Sequence, residues 1–102
     1  MKFKVYSMFD RKAKYFGQPM FLPNDEVLKR NVVVSLKQPN SQLAPVIEDM
    51  AFYHIGEFDD EKGVITPLVP TIVFDGVGLL PSSPVYGGVS DGNINRQREK
   101  RN

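Results

Sequence analysis

Ala51-Phe-Tyr-His-Ile-Gly-Glu-Phe-Asp-Asp-Glu-Lys-Gly-Val-Ile-Thr-Pro-Leu68 decides the fold. Two runs rich in aromatic and β-branched residues flank the polar connector Asp59-Asp60-Glu61-Lys62-Gly63. Runs of that kind joined by a short loop ending in glycine predict a β-hairpin, because glycine takes positive φ without a steric penalty. The first arm, Ala51 to Phe58, is apolar on both sides, which predicts a central strand covered on both faces. The second, Val64 to Leu68, is expected to stop at Pro67 and Pro70, since proline cannot donate to a ladder.

Outward from the hairpin, Lys2 to Phe9 alternates with period two. Phe3, Val5, Ser7 and Phe9 fall on one side, and Lys2, Lys4, Tyr6 and Met8 on the other. The expectation is a half-buried strand with Phe3, Val5 and Phe9 in the core. Tyr15 to Phe21 reads as an edge arm, because Gly17 and Pro19 interrupt it. Asn24 is an N-cap residue, and Asp25 and Glu26 suit the positive end of a helix dipole. Leu28, Val32 and Leu36 then share one face of a helix over Asp25–Gln38, despite the β-branched run Val32-Val33-Val34. Pro39 ends it, and a short helical turn is expected near Val46 to Asp49. Thr71 to Phe74 reads as one more short strand. The fold class is therefore α+β: a small antiparallel sheet of three to four strands with one helix on one face. Residues 1–75 make the single domain, and 76–102 a flexible, Gly/Pro-rich tail with a basic end.

A chain of 102 residues has room for one modest core. Zero cysteines exclude a disulfide scaffold, a thiolate metal site and a cysteine nucleophile. Asp10, Arg11, Lys12 and Lys14 break any signal-peptide run, and no window approaches the roughly 18 apolar residues that span a bilayer. A place in the cytoplasm, away from membranes, is expected. Net charge is +1 but uneven. Residues 1–37 carry eight Lys/Arg against three acids, or +5. Residues 38–92 carry one lysine against eight acids, or −7, and residues 93–102 four cations against one acid, or +3.

Catalysis has little behind it. His54 is the sole histidine and sits mid-strand among aromatic residues, where a packed, hydrogen-bonded role is expected. No serine stands in a nucleophile-elbow setting, and the glycines near Gly76 and Gly78 do not open a helix after a strand. Glu57, Asp59, Asp60 and Glu61 lack the ligand alternation of a calcium loop and read as turn chemistry. Neither an enzyme nor a cofactor or metal is expected. Nucleic-acid binding has more support, because single strands are held by cations for phosphates and exposed rings for bases. The candidates are Lys2, Lys4 and Tyr6 on the outer face of the first strand, then Arg11, Lys12, Lys14, Tyr15 and Phe16. Arg96, Arg98, Lys100 and Arg101 would form a second clamp. The competing reading makes these rings packing residues and the lysines a soluble edge.

Lys4-Val-Tyr-Ser-Met-Phe-Asp10, Gln18-Pro-Met-Phe21 and Glu48-Asp-Met-Ala-Phe-Tyr-His-Ile-Gly-Glu-Phe-Asp59 leading into Gly63-Val-Ile-Thr-Pro67 carry a resemblance. The most specific part is Asp49, Tyr53, Gly56, Phe58 and Asp59. Over residues 3–70 the chain resembles the small nonstructural protein of gokushovirus-type microviruses, phages with single-stranded DNA genomes. That resemblance implies a non-capsid, non-enzymatic protein of the host bacterial cytoplasm that binds single-stranded DNA in genome synthesis or packaging. The Val-rich helix and the long stretch after Val69 depart from the family pattern. A second function class is an assembly module for phage or host replication proteins, based on the apolar segment Ile72-Val-Phe74 to Leu80 and Val85-Tyr86. An open edge strand also leaves room for a homodimer.

Overall fold

The Asp59–Gly63 connector closes as its residues require. In the computed structural model, which describes residues 1–79, Gly63 takes φ of +68°. Its N–H donates to the Asp59 carbonyl at 2.8 Å. The Asp59 carboxylate caps the turn, accepting from the N–H groups of Glu61 at 2.9 Å and Lys62 at 3.3 Å. The acidic cluster is thus turn chemistry, with Asp60 and Glu61 also meeting the N-terminal ammonium of Met1.

This turn joins β4 (Met50–Asp59) to β5 (Val64–Asp75). They add to β1 (Lys2–Asp10), whose other edge carries the short strands β2 (Tyr15–Phe16) and β3 (Met20–Leu22). All pairings are antiparallel, in the order β2-β1-β4-β5 with β3 also on β1. The Tyr15–Phe21 arm does pair at the edge, in two pieces. Val64–Leu68 and Thr71–Phe74, expected as separate strands, form one. Pro67 and Pro70 fit because β5 is an edge strand, where an absent N–H faces water, and because Leu68-Val69-Pro70 bulge out between Pro67 and Thr71.

The helix α1 (Asp25–Leu36) begins where Asn24 Oδ1 accepts from the Val27 N–H at 2.9 Å. It ends two residues before the expected Gln38: Lys37 is the C-cap, still in the helical region, and Gln38, immediately before Pro39, is disfavoured there. Leu28 and Val32 are buried against Tyr6, Ile47, Met50 and Phe52, with Leu36 packed at the margin. A 3-10 turn at Ala44–Asp49 leads into β4.

The covered face of β1 is the one opposite to expectation. Alternation defines two faces but does not rank them, and α1 lies on Tyr6 and Met8. Phe3 and Phe9 are only half-buried, on the face away from the helix, although Val5 on that face is buried. A second 3-10 turn, Gly76–Leu79, falls in the stretch read as tail, yet Leu79 packs on the core.

Candidate nucleic-acid interface

The candidate surface is the sheet face that α1 leaves open. Phe3, Val5, Ser7 and Phe9 of β1 stand there, and pairing adds Phe16 opposite Phe9 and Phe21 opposite Val5. From β4 come Ala51, Tyr53, Gly56 and Phe58, opposite Phe9, Ser7, Val5 and Phe3. None of these side chains is charged. Tyr53 and Phe58 are five residues apart, so strict alternation would set them on opposite faces. A bulge at Ile55 resets the alternation: Val5 pairs with Gly56 and Tyr6 with His54. Gly56 is required beside it, because a Cβ there would sit 2.8 Å from the Thr66 carbonyl oxygen.

The rings meet in two groups that bridge across β1. Phe16 from one side and Tyr53 from the other approach at 5.5 Å between centroids, edge to face, with Phe9 at 4.9 Å from Phe16. Phe21 and Phe58 meet at 5.4 Å in the same manner. Phe16 and Phe21 keep 43% and 45% of their surface exposed. Beneath them Val5, Ser7 and Ala51 are buried, and Ser7 Oγ donates to the Gly17 carbonyl at 2.8 Å.

Lys12 and Lys14 stand in the β1–β2 turn at the end of this face, while Tyr15, paired with Asp10, alternates with Phe16 onto the other side of the sheet. The Asp10 carboxylate accepts from the N–H groups of Lys12 and Ala13, at 2.9 and 3.1 Å. Lys14 takes φ of +65°, a left-handed conformation that costs a lysine about 1–2 kcal/mol. Both lysines and Tyr15 are exposed, Tyr15 at 64%. Among the described residues the cations in salt bridges are Met1, Lys4 and Arg11, so Lys12 and Lys14 are open to an anion.

The other sequence-derived candidates are placed differently. Tyr6 is fully buried, which corrects its assignment to an outer face: no base can stack on it. Its hydroxyl donates to Asp25 Oδ1, and Lys4 Nζ meets the same oxygen at 3.3 Å. Lys4 is thus committed to the helix start. Lys2 is exposed on the helix side, opposite Asp59 and beside Glu57 and Lys62. Arg11 is held by the Asp75 carboxylate, while its N–H donates to the Asp49 carbonyl at 2.9 Å. Arg96, Arg98, Lys100 and Arg101 lie outside the described residues. Of the candidates, the structure brings Lys12, Lys14 and Phe16 to the open face, and sets Tyr15 on the opposite one. Sequence reading missed Tyr53 as the partner of Phe16, and Phe21 with Phe58 as a second ring pair; for the β4 rings the signal was a strand apolar on both sides with Gly56 in its middle.

His54 lies on the helix side with its ring 5.6 Å from Tyr6. It is packed as expected, but its buried Nε2 finds no hydrogen-bond partner among the described residues, contrary to expectation.

Two carboxylates are tuned by these contacts. The Tyr6 hydroxyl, followed by the Lys4 ammonium, holds Asp25 below the usual carboxylate range. The Arg11 guanidinium, followed by the Val77 N–H, does the same for Asp75. Burial, then the Asp25 hydrogen bond, push the Tyr6 phenol well above its ordinary value. A depressed carboxylate contributes stability above its unfolded value of about 3.9 and loses it as pH falls through the folded value. Tyr6→Phe is expected to cost about 1–2 kcal/mol at neutral pH, because Asp25 is partly solvated. Urea titrations at several pH values check this: the difference from wild type should shrink below about pH 4 as Asp25 protonates.

Fold and face together define a small antiparallel-sheet protein with one helical cover and one open aromatic surface. The family described as Phage ORF5 protein matches residues 3–79. The chain belongs to that family and is a phage protein. Neither the curated proteins nor the solved structures offered a match. Among the described residues, no helix is long and apolar enough to cross a membrane.

Proposed function

We propose that this phage protein is a non-enzymatic, nonstructural accessory protein that binds single-stranded DNA on its open sheet face. The observation that carries the reading is the pair of ring groups bridging β1, bordered by Lys12 and Lys14 in a charge-free field. Unstacked bases present π-faces that lie on exposed rings, while cations at the margin neutralise the phosphates. The resemblance to gokushovirus-type nonstructural proteins points to genome synthesis or packaging in the host bacterial cytoplasm. A strand bound this way would be shielded from re-pairing while it is copied or packed.

The second reading, an assembly module for replication proteins, keeps one observation. Ile65 and Ile72 of edge strand β5 pair with Phe58 and Tyr53 and are half-exposed, extending the apolar field. Its original basis is corrected in part: Ile72–Phe74 belong to β5, and Phe74 stacks on Phe52 at 4.7 Å. Leu80, Val85 and Tyr86 lie outside the described residues.

Titrating a fluorescent oligonucleotide across a salt series separates the two. Each phosphate neutralised contributes a slope of about −0.7 in log K against log salt. Lys12→Gln with Lys14→Gly should flatten the slope by about 1.4. Lys14→Gly should also raise stability by up to about 1 kcal/mol, since glycine relieves the positive φ at some entropic cost. A variant both more stable and weaker in binding would identify Lys14 as a contact residue. An unchanged slope removes the electrostatic part of the reading and favours a protein partner.

A further inference from the structure

The two ring groups are evenly offset along β1. Phe16 and Phe21 stand opposite Phe9 and Val5, and Tyr53 and Phe58 opposite Ser7 and Phe3. Each offset is four β1 residues, or about 13 Å at the rise of an antiparallel strand. On the β4 side this match depends on the Ile55 bulge, which brings Tyr53 and Phe58 to one face. Between the groups lies a floor of small, buried side chains, Val5, Ser7 and Gly56, with no ring to stack on.

Resting on the single-strand reading above, we propose that the face holds an unpaired strand at two separate stacking stations. Phe16–Tyr53 is one and Phe21–Phe58 the other, with the intervening nucleotides crossing the small-residue floor. Bases in a duplex stand about 3.4 Å apart and cover one another's faces. A ligand that offers two open base faces about 13 Å apart must be splayed and single-stranded. The stations act as a linked pair, so the second binds at an effective concentration set by the nucleotides between them. The ligand class is therefore a single strand long enough to span both stations, with little preference for sequence, because every base has a π-face.

The test is a series of oligothymidylates from about two to about sixteen nucleotides, titrated against the full chain. Affinity should rise at least about tenfold over the short interval at which one strand reaches both stations, then level off. Phe21→Leu and Phe58→Leu keep apolar volume but remove the rings, and circular dichroism verifies folding. Either should abolish the step and leave a smooth, shallow dependence of affinity on length. A smooth length dependence in wild type, or a step that survives Phe21→Leu and Phe58→Leu, overturns the two-station arrangement. If Phe16→Leu weakens binding under that result, the single-strand reading itself stands. No binding at any length overturns both.

Discussion

Gly76→Ala is expected to be the most damaging single-methyl change in the described chain. A Cβ at position 76 would lie 2.0 Å from the Ile47 carbonyl oxygen and 2.8 Å from that of Met50. Both obstacles are backbone, so no side-chain rotation removes the clash. The Gly76–Leu79 turn would have to lift, withdrawing Leu79 from the core and opening Ile47 to water. Overpacking of this kind costs about 1–3 kcal/mol, and rigid backbone on both sides places this case at the upper end. Urea unfolding should give a lower midpoint with an unchanged slope. Gly78→Ala is the control, since nothing lies within 4 Å of its Cβ, and it should stay within about 0.5 kcal/mol of wild type. Equal midpoints for the two variants would mean that the 76–79 segment does not pack on the Ala44–Asp49 turn.

Removing the Phe16–Tyr53 pair should have the largest effect on binding. Base–aromatic stacking is worth about 1–3 kcal/mol per base, so the double alanine variant should weaken oligonucleotide binding by about tenfold to over a hundredfold. Phe16 is 43% exposed and Tyr53 half-buried, so the loss of packing against Phe9 also lowers stability, by about 1–2 kcal/mol. Tyr6→Phe sets the comparison. It lowers stability through Asp25 but should leave binding of the folded protein unchanged, because Tyr6 never reaches solvent. Two variants of similar stability and unlike affinity would assign the effect to the open face. Loss of binding in both would tie it to folding alone.

The parts of this molecule fixed by short-range chemistry were legible in its sequence. The Asp59–Gly63 turn needs a carboxylate cap and a positive-φ residue, and both are written in order. Asn24, Asp25 and Glu26 announce the helix start, and Leu28, Val32 and Leu36 its buried stripe. What escaped depends on long-range placement. Alternation in Lys2–Phe9 cannot say which face the helix takes, so the pattern alone leaves Tyr6 on the solvent side. A bulge shifts the count by one residue, so the shared face of Tyr53 and Phe58 is invisible until Ile55 is seen out of register. Pro67 and Pro70 looked like strand stops because edge position is a property of the whole sheet. Of the binding candidates, Lys2, Lys12, Lys14, Tyr15 and Phe16 are exposed and outside the salt bridges, whereas Lys4 and Arg11 are drawn into ion pairs with Asp25 and Asp75 from distant elements.

The most direct test of the open face is competition between a single strand and a duplex of the same sequence and length, at low and moderate salt. Stacking requires unpaired bases, so the single strand should bind at least about tenfold more tightly, and Phe16→Ala should erase most of that preference. Equal affinity for both forms, with the preference of Phe16→Ala matching wild type, would contradict the account.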